Sequence, residues 1–140
     1  MPRIKLTLPE KFHYETKINI RITDINYGGH LGNDALLGIL QEVRIRFLNH
    51  YGYSEMDLGG CGIIMSDSAI VYKNEGFYND ELLIEVAVDD ISKVSFDIYY
   101  SVKNLTRNNL HAVAKTGIVC FNYAERKVAE VPEKFAELFQ

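Results

Sequence analysis

One segment constrains the fold more than any other: residues 33–51, where a helix would be apolar around most of its circumference. At 100° per residue, Leu36, Ile39, Leu40, Val43 and Phe47 share a face, and Leu37 and Leu48 flank it. Such a helix must be largely enclosed. Ahead of it, Asn33 or Asp34 can accept hydrogen bonds from the first free N–H groups, and Gly52 provides a stop.

The rest of the chain reads as strands able to enclose it. From Lys17 to Asp24 residues alternate, with Ile18, Ile20 and Ile22 on one side and Lys17, Asn19, Arg21 and Thr23 on the other, the period of a half-buried strand. Four further strands are expected at 62–74, 81–90, 93–105 and 110–123. Asn79-Asp80, Ser92-Lys93 and Asn108-Asn109 mark the turns between them. Pro132 suits the first turn of a short C-terminal helix. The nine tyrosines fall mostly in or near strands, where aromatic rings fill cross-strand positions. The economical packing is an α+β domain, an antiparallel five-stranded sheet curled around one long central helix. Its open edges favour pairing with another copy, so at least a dimer is expected.

A chain of 140 residues without repeats, linkers or compositional bias fits one domain spanning 1–140. A net charge of −4 is too mild for a nucleic-acid or anionic-membrane surface. The stretch MPRIKLTLPE lacks a signal-peptide core, and the longest apolar run, ALLGIL, is far below the ~20 residues of a membrane span. The expected location is the cytoplasm. Cys61 and Cys120, 59 positions apart, read as reduced packing residues. His13, His50 and His111 have no metal-ligand spacing and default to the surface, so no metal is expected.

Chemistry concentrates in Arg21 to Glu42, RITDINYGGHLGNDALLGILQE, where a polar glycine loop runs straight into a helix N-terminus. Free N–H groups there can polarise a carbonyl or hold an oxyanion, and Gly28, Gly29 and Gly32 let a ligand approach the backbone. The spacing matches neither GxGxxG nor a phosphate-binding loop, and GxSxG is absent. Ala35, Gly38 and Glu42 line up at i, i+3 and i+7 as a small-residue groove ending in a carboxylate. Close helix-on-strand packing or ligand access are the two explanations for Gly38.

This segment resembles the hotdog-fold thioesterases of the 4-hydroxybenzoyl-CoA and acyl-CoA thioesterase type, many of which carry Asp-x-Asp-x-x-Gly-His-Val-Asn-Asn before a helix bearing a glutamate. The match is ungapped: Asp24, Asn26, Gly29-His30, Gly32, Asn33 and Glu42 take those positions. The element order extends the resemblance over residues 16–123. It implies hydrolysis of acyl thioesters of coenzyme A or acyl carrier protein by a homodimer or homotetramer without a cofactor.

Asn26 departs from the pattern, because in several relatives the acid at that position is the nucleophile or base. A second branch carries its working carboxylate nine residues beyond a His-Gly-Gly helix start, the spacing of Asn33 to Glu42. The resemblance therefore makes Glu42 the leading base for activating water, against a plain ion pair with Arg46 at i+4. By likeness to plant acyl carrier protein thioesterases, Asn26 would orient the water or bind the thioester oxygen. His30 would donate to substrate or relay a proton. Asp24 reads as a structural acceptor for the loop, and Asp67 and Glu75 are further acids of lower weight. Two other readings stand beside hydrolysis: a silent acyl-thioester-binding module, motivated by Asn26, and an enoyl-CoA hydratase, whose Asp-x-Asn-Pro-x-His signature is only partly present.

Overall fold

The computed structural model describes residues 3–140. Its elements are β1 (Tyr14–Asn19), a 3-10 turn (Ile22–Asp24), α1 (Asn33–His50), β2 (Gly62–Tyr72), β3 (Glu81–Asp89), β4 (Ser95–Asn104), β5 (Asn109–Asn122), β6 (Lys127–Val128) and α2 (Glu133–Glu137). All pairings are antiparallel, in the order β1-β3-β4-β5-β2, with the two-residue β6 added against β5.

Alternation explains why the sheet turns one face to α1. Leu82, Ile84, Val86 and Val88 of β3, Phe96, Ile98, Tyr100 and Val102 of β4, and Ala112, Ala114, Ile118 and Cys120 of β5 are all buried. They share one core with Leu36, Ile39, Leu40, Val43, Phe47 and Leu48 of the helix. The α+β arrangement expected from the sequence is therefore the observed one, a curled antiparallel sheet around a long helix. Among the described residues no helix is long and apolar enough to cross a membrane.

The last four long strands fall within two residues of their expected bounds, and Asn79 and Asn108 take the positive φ angles their turns require, 65° and 55°. Expectation and structure part in several places. The first strand runs over Tyr14–Asn19 rather than 17–24. Beyond it the Asp24 carboxylate accepts the backbone N–H of Arg21 at 2.8 Å and two guanidinium N–H groups, which folds the chain into a turn and leaves Ile22 exposed. Gly32, not Asn33 or Asp34, occupies the helix N-cap, and no side chain caps it. On α1, Leu37 is 47% exposed while Arg44 is buried.

Of the three histidines expected at the surface, only His50 is exposed. His13 is half-buried, its Nδ1 accepting the Val88 N–H. His111 is buried with neither ring nitrogen partnered, and burial holds it below the usual histidine range. Cys61 and Cys120 are both buried and free. Burial, and then the adjacent Cys61, push the Cys120 thiol up to about 12.

Candidate active site

The loop ahead of α1 closes on itself. Asn26 donates its backbone N–H to the His30 carbonyl at 2.9 Å, and its carbonyl accepts from Gly29 N–H at 3.0 Å. The Asn26 side-chain Oδ1 accepts the Gly28 N–H at 2.8 Å, while its amide nitrogen is unspent among the described residues. Gly29 needs to be glycine, since its φ is +84°. The loop is docked from outside by Leu31, which donates to the Gly76 carbonyl at 2.7 Å.

Gly32 N–H donates to the Asp24 carbonyl, and the Gly32 carbonyl accepts from Leu36. The N–H groups of Asn33, Asp34 and Ala35 therefore find no acceptor among the described residues. They border a cavity of about 590 Å³ lined by Asp24, Asn26, Tyr27, Gly32, Asn33 and Asp34. Three unpaired donors and the positive end of an 18-residue helix make this the place on the chain best suited to growing negative charge. The Asp34 carboxylate stands there without a hydrogen-bond partner among the described residues. It overlies Gly32, where an added Cβ would lie 2.8 Å from its Oδ1.

The other expected residues are distributed as follows. Asp24 is buried and spent on Arg21; burial opposes its charge, but the hydrogen bonds from Arg21 outweigh this and hold it below the usual carboxylate range. Gly28, Gly29 and His30 form the outer side of the loop and do not line the cavity. Glu42 lies about 13 Å along the helix from Asn33. It lines a separate depression with Lys17, Asn19, Arg21, Gly38 and Arg46, and its Oε2 accepts from Arg46 Nε at 2.9 Å. Asp67 sits at a β-bulge of β2, where it accepts the Gly117 N–H at 3.0 Å and pairs with Lys115. Glu75 is exposed in the loop after β2, beside the Gly76 that docks Leu31.

Among the described residues, nothing outside the adjacent backbone of α1 lies within 4 Å of a Cβ built on Gly38, so close packing of α1 on a strand of the same chain does not explain that glycine. Asp34 is the residue that sequence reasoning treated only as a cap. Its signal was an acid in the first turn of a helix whose cap position falls on glycine.

A family model described as the thioesterase-like superfamily matches residues 20–139. The architecture is the hotdog fold, and the chain belongs to the thioesterase-like superfamily, which makes it a thioester hydrolase by class. No curated protein matches the sequence at a significant level.

Among solved structures, a 1,4-dihydroxy-2-naphthoyl-CoA thioesterase from Synechocystis is similar at a TM-score of 0.80 and 20% identity, covering 89% of this chain and 93% of that one. An Asp-to-Asn mutant of 4-hydroxybenzoyl-CoA thioesterase complexed with 4-hydroxybenzoyl-CoA matches at a TM-score of 0.80 and 20% identity, over 91% and 98%. The hypothetical protein SAV2348 of Staphylococcus aureus, in complex with CoA, matches at a TM-score of 0.80 and 13% identity, over 96% and 85%.

Proposed function

We propose that this protein hydrolyses acyl thioesters of coenzyme A, with the carbonyl held at the amino end of α1. The observation that carries the reading is the trio of unpaired N–H groups at Asn33, Asp34 and Ala35 facing a cavity. Structural neighbours that bind CoA or a CoA thioester support coenzyme A as the carrier.

In the proposed reaction, water attacks the carbonyl carbon and the helix amides stabilise the oxyanion. The C–S bond then breaks, and the thiolate takes up the proton removed from water. Asn26, with a free amide N–H₂, orients the water or the thioester oxygen, and His30 supports the loop from outside. Two carboxylates line the cavity with Asn26 and the helix amides; Asp24 is spent on Arg21, so we assign the unpaired Asp34 as the base. Glu42 of the same chain is too far along the helix to touch a carbonyl held at residues 33–35. It would act only on a carbonyl held by a second copy.

A homo-oligomer fits the sheet, because β2 ends it with an eleven-residue strand whose outer edge pairs with nothing among the described residues. A reducing cytoplasm fits two free, buried cysteines.

Acyl-CoA and acyl carrier protein substrates, assayed by thiol release, test the reading. Release from CoA esters is expected, and Asp34→Asn is expected to lower kcat by roughly a hundredfold. A larger loss in Glu42→Gln than in Asp34→Asn would move the base to Glu42 and place the site between two copies. One observation favours a second reading, since Asn26 in place of an acid suits a module that binds thioesters without cleaving them. Binding without thiol release would establish that reading, and loss of enoyl absorbance would instead reveal a hydratase.

A further inference from the structure

Arg44 is the largest fully buried side chain of the molecule, at 2% exposure, and it stands in the middle of the central helix. Burying a guanidinium is costly unless its N–H groups are paired. Here the pairing is long and partial. Nη1 donates to the Tyr100 hydroxyl at a long 3.3 Å, and Nε has no hydrogen-bond partner. Nη2 has none among the described residues. Nε forms an ion pair with Glu55 at 3.5 Å, and the Glu55 side chain is 30% exposed to water.

Arg44 lines an open groove of about 230 Å³ between α1 and the β2–β5 sheet, together with Leu37, Gln41, Met65, Ser68 and Thr116; Leu37 and Met65 are about half exposed. Apolar surface dominates its lining, and Gln41, Arg44, Ser68 and Thr116 contribute polar groups. Tyr100 and Thr116 hydroxyls are 2.8 Å apart. A guanidinium only donates, so the Tyr100 oxygen accepts from Arg44 and can pass its own hydrogen to Thr116, freeing the Thr116 O–H for the groove.

Position along the helix links this groove to the thioester site. Strand β2 runs antiparallel beside α1: the Tyr72 hydroxyl stands 3.5 Å from the Asn33 carbonyl, while Met65 and Ser68 face the Leu37-to-Arg44 stretch. Arg44 lies nine residues beyond Ala35, about 13 Å along the axis. An acyl chain entering between Leu37 and Met65 from the amino end would therefore point its far end at Arg44.

Resting on the thioesterase reading, we infer that the groove selects medium-chain acyl groups ending in a carboxylate, paired with Arg44 and Thr116. An Arg–carboxylate pair uses two parallel hydrogen bonds and suits a buried site better than a plain hydrocarbon end would.

Matched substrates test this: adipoyl-CoA against hexanoyl-CoA, and suberoyl-CoA against octanoyl-CoA. The wild type is expected to show a kcat/KM at least roughly tenfold higher for the carboxyl-terminated member. Arg44→Met, close in volume, should bring the ratio to about one, and Thr116→Val should lower it partway. Equal or better turnover of the plain esters by the wild type would overturn the inference. So would an unchanged ratio in Arg44→Met. Were no ester cleaved, the thioesterase reading would fail alone, and thermal shift with the same uncleaved pairs would still read the groove. Stronger stabilisation by adipoyl-CoA than by hexanoyl-CoA, lost in Arg44→Met, supports the inference, and equal stabilisation overturns it.

Discussion

Gly32 leaves the Asp34 carboxylate room to lie over the chain, and its own φ of −76° suits any residue. At a helix N-cap alanine is less favoured than glycine, which offsets the ~0.4–1 kcal/mol it would gain by restricting the unfolded chain. Its Cβ would also push the Asp34 oxygen away from its place 2.8 Å distant. Gly32→Ala is thus expected to lower kcat by roughly tenfold with little change in the denaturation midpoint, since small displacements of a reacting group are costly. A variant with kcat unchanged would remove Asp34 from the mechanism. Buried titratable groups set the acid stability. Burial holds His111 and His13 below the usual histidine range. Burial opposes the charge of Asp80, but hydrogen bonds from Asn104, Arg107 and the Phe77 N–H hold it low. All of these native groups bind protons less readily than the unfolded chain does, so stability is full above the unfolded values and is lost as pH falls through the native ones. Two acid steps are expected in the denaturant midpoint, one beginning below about pH 6.5 and one below about pH 4. His111→Gln should weaken the first and leave the second.

At the scale of elements, α1 is held by Phe47, whose ring meets those of Tyr14, Tyr51 and Phe139 at centroid distances of 6.0, 5.4 and 5.6 Å. Phe47→Ala is expected to cost about 3–5 kcal/mol in denaturant unfolding, the range for emptying a buried aromatic site. A loss below about 1 kcal/mol would mean that the helix is held elsewhere. Period made these elements legible: apolar spacing announced α1, and alternation with asparagine turns announced β2 to β5. The end of β1 was not legible, because Ile20 and Ile22 continue the alternation while a long-range bond from Ile20 N–H to the Asp80 carbonyl and the Arg21–Asp24 turn redirect the backbone. Arg44 was also hidden. Its charge argued for solvent, and only the tertiary meeting with Tyr100 and Thr116 puts it inside. The loop of the candidate site was readable as a motif, whereas the distance separating Glu42 from it required the helix to be built.

For the whole molecule, Ile64, Met65 and Tyr72 are exposed along β2, the edge we propose as the contact between copies. Sedimentation should give about twice the 16.0 kDa chain mass. Replacing Ile64 and Met65 together with lysine should return it to the single-chain value, since charge on an open edge blocks strand addition. Dimerisation that survives this change would place the contact elsewhere. The buried cysteine pair has a practical consequence of its own. Both sulfurs are shut away from solvent, and Cys120 stays protonated far above neutrality. A colorimetric reagent for liberated coenzyme A would therefore register product with little background from the folded catalyst, and a late rise in signal without substrate would time the opening of the core.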